Sequence, residues 1–215
     1  MTDAHYHRNG YATFFSTGAR EYRFLGVHPW EASAAWNKER EASLRDALAA
    51  DAHAGVGEIG LDRLKEKSIP SAQREAFAAQ LAIAADLRRP VVLHGAKCWG
   101  EVAAACRPCA GRVPAFLFHG FSRSGGLLPA IYALNGFVGV GAALLNDHAV
   151  NYRALAKEIA PDRLLVETDA DCGSGEARPS AEDILRKLAE LRGMDASALA
   201  AVLDANAARF AEALA

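Results

Sequence analysis

The sequence predicts an α/β fold, a TIM-like (β/α) barrel, on three observations. Short apolar runs alternate with stretches of helical periodicity, metal-type side chains stand just after several of those runs, and no linker or compositional break divides the chain. Strands alternating with helices imply a parallel sheet. In a parallel barrel the carboxyl ends of the strands open on one face, where residues far apart in sequence converge. The 215 residues fit one barrel domain, 1–215.

The elements follow in order. Asp3-Ala-His5-Tyr-His7 reads as an extended segment in which residues two apart share a face, so His5 and His7 can aim at one ion. Apolar runs bounded by turn signals follow at 22–27, 54–59, 90–93, 114–118, 136–140 and 164–166. Helical patterns rich in Ala, Leu, Glu and Arg fall at 41–50, 71–87, 125–134, 152–159, 180–191 and 197–215. Gln73, Phe77, Gln80, Leu81 and Ala84 show the helical period clearly. The stretch 171–179, DCGSGEARP, is a turn-prone loop.

Composition narrows the classes. With 51% hydrophobic residues, 23% charged and a formal net charge of -2, the chain has material for a core and no global basic field. A nucleic-acid partner would therefore be held by a local patch or by bound cations. The start MTDAHYHRNG has no basic segment leading into an apolar run, and no run approaches a membrane span, so a cytoplasmic location without membrane association is expected. Four cysteines, Cys98, Cys106, Cys109 and Cys172, make no disulfide framework. The Cys106-Arg-Pro-Cys109 pair lacks a second pair at zinc spacing and reads as ordinary thiols.

His94 follows Val-Val-Leu, His119 follows Phe-Leu-Phe, Glu58 ends Gly-Val-Gly-Glu, and Glu-Thr-Asp169 follows Leu-Leu-Val. Each residue has a plain structural alternative: a core imidazole bonded to a carbonyl, a satisfied buried carboxylate, or a helix cap at Asp169. Their repeated placement at strand ends argues instead for one divalent centre, since mixed imidazole and carboxylate donors suit hydrolytic metals. His28, between Gly-Val and Pro, is expected to line the same mouth, whereas His53 and His148 carry no such signal.

In order along the chain, D-A-H-Y-H, G-V-H-P (26–29), G-E-I-G-L-D (57–62), the Q-x6-Q-L helix (73–81), P-V-V-L-H (90–94), H-G-F-S (119–122), R-L-L-V-E-T-D-A (163–170) and N-A-A-R-F (206–210) resemble the motifs of the TatD-type metal-dependent deoxyribonucleases. The resemblance covers nearly the whole chain. It implies a TIM-like barrel that uses one or two divalent ions (Mg²⁺, Zn²⁺ or Mn²⁺) to cleave phosphodiester bonds of DNA, with 3′-5′ exonuclease-type activity. Carried over, His5 and His7 resemble ligands of one ion, Glu58 the bridging carboxylate, and His94 and His119 ligands of the second. Asp169 resembles the ligand that also takes the proton of the attacking water. Catalytic roles thus fall to Asp169 and Glu58.

Two departures from the pattern matter. The segment between His7 and Gly26 is too short for the family's usual strand and helix unit, so the barrel is expected to be shortened or irregular near its N-terminal units. The loop after Glu-Thr-Asp-Ala carries Asp171 and Glu176 where the family places a basic, proline-containing segment. His28, Arg63, Lys97, Arg123 and Arg178 are the candidate substrate contacts, although for any one arginine or lysine a solvated surface charge is the commoner reading. Two other functions stand beside the nuclease: an amidohydrolase-like enzyme acting on a small ester, lactone or amide, which the acidic loop favours, and a non-catalytic metal-binding scaffold. The sequence leaves the oligomeric state open.

Overall fold

The computed structural model describes residues 1–8, 12–18, 20–64, 68–122, 125–171 and 178–214. Among them, eight strands form one sheet whose spatial order is the chain order: β1 (Asp3–Arg8), β2 (Ala12–Thr17), β3 (Arg20–Leu25), β4 (Gly55–Asp62), β5 (Val91–Ala96), β6 (Phe116–Phe118), β7 (Gly136–Val140) and β8 (Leu164–Val166). From β3 to β8 every neighbouring pair is parallel. The sheet curls until the chain beyond β8 meets β1: the Asp169 amide donates to the His5 carbonyl at 2.9 Å, and the His7 amide to the Ala170 carbonyl at 2.7 Å. The expected α/β barrel is thus present, nearly closed.

Its irregularity lies where the sequence placed it, and it is an added strand. Only residues 9–19 separate β1 from β3, fewer than the roughly dozen or more that a parallel crossover takes. The chain reverses twice instead, so β2 is antiparallel to both neighbours and β3 regains the direction of β1.

The helices follow the strands outward. α1 (Ala32–Ala35) and α2 (Lys38–Ala50) come after β3, α3 (Ser71–Asp86) after β4, α4 (Trp99–Cys106) after β5, α5 (Leu128–Ala133) after β6, α6 (Val150–Glu158) after β7, and α7 (Ala181–Arg192) and α8 (Ala196–Ala211) after β8. The sequence reading missed β2, α1 and α4. It also began the fifth helix too early, because Gly125 to Leu127 form a separate 3-10 turn. Among the described residues no helix is long and apolar enough to cross a membrane.

Two apolar layers result from the period of two along each strand. Val91, Leu93, Phe116, Phe118, Leu164 and Val166 pack outward with helix residues such as Leu81, Val102, Leu155 and Leu188. Val92, Leu117 and Leu165 pack inside the barrel with Phe15, Phe24, Phe137 and Phe210. The next positions of that inward register are His94, His119 and Glu167. Polar chemistry therefore sits directly on an apolar floor.

α8 seals that floor. The Phe210 ring lies 5.0 Å from Phe15, 5.7 Å from Phe137 and 6.1 Å from Phe24, centroid to centroid. One turn earlier, the Asn206 amide donates to the carbonyls of Pro161 (2.7 Å) and Leu164 (2.8 Å), fixing the helix against the start of β8. Phe210→Ala should destabilise the fold by about 3–5 kcal/mol, the usual cost of deleting a buried aromatic ring. Chemical denaturation measures this, and a loss below about 1 kcal/mol would mean the floor does not depend on the ring.

Candidate active site

β4 carries one residue too many for its partner: Val56 pairs with Val91, but Ile59 already pairs with Leu93. Such a bulge re-aims side chains, and Glu58 lies within it, only 5% exposed. Its two oxygens face different partners. Oε1 is 2.6 Å from His94 Nδ1, 2.6 Å from His119 Nε2 and 3.5 Å from His28 Nε2. Oε2 is 3.5 Å from Nε2 of both His5 and His7. Burial opposes ionisation of Glu58, yet the surrounding imidazoles, His119 foremost, hold its pKa well below the ordinary carboxylate value.

Asp169 completes the group from the β8 side. Its Oδ1 lies 3.5 Å from His5 Nε2 and 3.4 Å from His7 Nε2. Its backbone is left-handed (φ 51°), a strained conformation pinned by the bond from its amide to His5. Although burial works against it, hydrogen bonding to His7 and the fields of His119 and His5 hold its pKa down to about 2. All six residues expected at the metal centre thus come together from five strands, on β1, β4 and β5 and just after β6 and β8.

The donor set fits divalent metal. Nε2 of His5 and of His7 stand only 3.1 Å apart, and both share Glu58 Oε2 and Asp169 Oδ1 as neighbours at 3.4–3.5 Å. Ligands on one tetrahedral ion with bonds of ~2.0–2.1 Å are separated by about 3.3 Å, which these spacings approach. Three groups of donor atoms lie within 4.8 Å of one another: His5, His7 and Glu58; His5, His119 and Asp169; and His28, Glu58 and His94. His28 thus sits among the donors, deeper than a mere substrate contact, and His119 reaches the His5 side as well, its ring stacked at 4.0 Å on that of His5.

Several supporting residues escaped the sequence reading. Asp62, 3% exposed, accepts from His94 Nε2 at 3.0 Å, from the Trp30 indole at 2.7 Å and from the Leu64 amide at 2.6 Å. Burial alone would raise its pKa, but those bonds bring it down to about 2. Carboxylates of this kind fix the orientation of an imidazole ligand. Glu167, 1% exposed, accepts from the Gly120 amide and places Oε1 3.8 Å from His119 Nδ1. Asp3 accepts from the Thr168 amide (2.9 Å) and hydroxyl (2.7 Å), tying β1 to the segment that bears Asp169. Desolvation is the main reason its pKa rises to about 6. The signal for Asp62 and Glu167 was present, since each lies in a quoted motif at an apolar strand end.

Gln73 and Gln80 stand two helical turns apart on one buried face of α3. Gln73 Oε1 accepts from the Asp62 amide at 2.9 Å, while Gln80 binds both the amide (2.7 Å) and the carbonyl (3.1 Å) of Val27. The helix thereby holds the backbone of Asp62 and that of Val27, the residue before His28.

The cluster opens into a cleft of about 380 Å³ lined also by Trp30, Asp171 and Arg178. Among the described residues, Arg178 is the one expected arginine or lysine that lines it, and its guanidinium donates to the Asp169 carbonyl at 2.8 Å. Arg63 is drawn aside to Glu101 (3.4 Å) and the Lys97 carbonyl (2.6 Å), and neither Arg63 nor Lys97 is among the lining residues. Arg123 lies outside the described residues.

The chain is also similar to known proteins. The family described as TatD related DNase matches residues 4–212. The chain is 35% identical over 196 residues to the 3′-5′ ssDNA/RNA exonuclease TatD of Pectobacterium parmentieri, covering 86% of this chain and 75% of the relative. To the protein of the same name in Escherichia coli it is 31% identical over 193 residues, covering 84% and 74%. Among solved structures it resembles the TatD homologue YJJV of Escherichia coli, with a TM-score of 0.76, 26% identity, and coverage of 88% of this chain and 76% of that one.

The space around Glu167 can be tested directly. A Cβ on Gly139 would lie 1.9 Å from Glu167 Oε2, whereas one on Gly100 would meet nothing within 4 Å. Gly139→Ala should therefore destabilise the chain by about 1–3 kcal/mol, while Gly100→Ala in α4 should be neutral or stabilising by up to about 1 kcal/mol. Equal melting temperatures for the two variants would show that Glu167 does not need the room.

Proposed function

Because the chain belongs to the TatD-related DNase family, we propose that it is a metal-dependent hydrolase of phosphodiester bonds, acting on DNA or a related nucleic acid from the 3′ end. The observation that supports this most is the convergence of five imidazoles on one buried carboxylate, Glu58, with Asp169 beside two of them, at the floor of an open cleft. A scaffold needs no such array.

In this reading His5, His7, Glu58, His94, His119 and Asp169 hold one or two divalent ions, with His28 beside the second. Such ions lower the pKa of water and offset the charge of a phosphodiester under attack. The chain's own groups do the rest. Glu58, ionised and offering one oxygen to each side, gathers the imidazoles around it. Asp169, ionised and half exposed (51%), is placed to accept the proton of an attacking water. Asp62 and Glu167 set the orientation of His94 and His119. Arg178, in the cleft lining, offers its guanidinium to a phosphate oxygen.

The carbonyl-hydrolase reading keeps one specific support: Asp171 also lines the cleft and disfavours a polyanion there. Metal analysis with cleavage assays separates the two. Cation-dependent cleavage of single-stranded DNA supports the nuclease, and bound metal without phosphodiester turnover moves the reading to an ester, lactone or amide.

Two variants test the assigned roles. Asp169→Asn should lower kcat by about 10²- to 10⁴-fold, the range of a general base, with the melting temperature little changed; unimpaired turnover refutes the role. Glu58→Gln should lower both the rate and the metal content of the purified protein. Unchanged metal stoichiometry would remove Glu58 from between the two sides.

A further inference from the structure

Four large apolar side chains are strongly exposed among the described residues, namely Met1, Trp30, Leu64 and Val150. Two of them, Trp30 (48% exposed) and Leu64 (53%), are attached to a single buried group. The Trp30 indole nitrogen donates to one oxygen of Asp62 at 2.7 Å, and the Leu64 amide donates to the other at 2.6 Å. The same carboxylate receives His94. Trp30 also stands edge-to-face with His28, centroids 4.8 Å apart, and donates its amide to His28 Nδ1 at 3.2 Å. Its polar edge is thus committed to the donor cluster, while half of its surface stays open along the wall of the cleft.

An indole held this rigidly loses little freedom when a planar group settles on it. Resting on the phosphodiesterase reading above, we infer that Trp30 is a nucleobase platform. It stacks the base of the 3′-terminal nucleotide while that nucleotide's phosphate lies over the Glu58 cluster. Stacking on an aromatic ring tolerates every base, because each has a π face. It requires an unpaired end, because a base inside a duplex is already stacked between neighbours.

The test uses two oligothymidylates, one intact and one whose 3′-terminal nucleotide is abasic. Dissociation constants are read by fluorescence anisotropy in the non-cleaving Asp169→Asn background, and kcat/KM in the otherwise unaltered chain. Trp30→Ala should weaken binding and kcat/KM for the intact strand about 5- to 150-fold more than for the abasic strand. Trp30→Phe, which keeps a ring but loses the bond to Asp62, should retain most of the preference for the intact strand. If Trp30→Ala impairs both strands alike, or Trp30→Phe is as damaging as Trp30→Ala, the residue acts through Asp62 and the platform is refuted. Failure of the phosphodiesterase reading looks different: the unaltered, metal-loaded chain then cleaves neither strand, and the platform falls with it.

Discussion

An ionised carboxylate at the bottom of a barrel mouth constrains everything around it. Glu58 is nearly sealed from water, and an isolated charge there would be prohibitively costly. Its neighbours are therefore nitrogen donors, arriving from β1, the turn after β3, β5 and the end of β6. The bulge that lifts Glu58 out of the β4 register, the closeness of His5 to His7, and the strained Asp169 backbone serve this one requirement. Close approach between strands is part of it: a Cβ on Gly60 would lie 2.0 Å from the His94 carbonyl, so β4 must be bare there.

The two-faced strands explain why the centre sits where it does. Inside the barrel, Val92, Leu117 and Leu165 form an apolar layer, and the next inward residues are His94, His119 and Glu167. One residue of slippage would turn each of these outward into the helix layer. Register in the parallel part is fixed by the outward Val, Leu and Phe positions. The antiparallel β2 contributes Phe15 to the floor and leaves the mouth to its neighbours. Thus the missing helix unit alters the wall of the barrel without touching the donors.

Much of this was legible in the sequence, and the remainder was not for definite reasons. The parallel strands could be read because each is an apolar run ending in a polar residue that has no cheap place in a core. β2 (ATFFST) escaped because it is short, lies between turn residues and belongs to no strand-helix repeat. α4 escaped because it directly follows β5 and has no side-chain cap. Among the site residues, ligand types at strand ends announced themselves. Asp62, Glu167, Gln73 and Gln80 stood in recognisable motifs but gave no sign of their roles, since a carboxylate or amide that acts through another side chain or a backbone amide has no spacing of its own. The arginines and lysines were least legible. Whether a long cation turns toward the mouth or toward Glu101, as Arg63 does, depends on contacts that sequence distance does not encode.

The paired glutamines of α3 have a mechanical meaning. Gln80 grips the backbone ahead of His28 and Trp30 at Val27, and Gln73 grips the backbone of Asp62 ahead of Leu64. Both amides are buried, so moving either loop away from the helix strands a polar group at a cost of about 1–3 kcal/mol. The two loops therefore ride on one rigid body, and that side of the mouth behaves as a fixed jaw. Its opposite, which bears Asp169 and Arg178, is fastened to β1 by Asp3 and by main-chain bonds. The two sides of the mouth are therefore anchored by different means, one to the buried face of a helix and the other to a neighbouring strand.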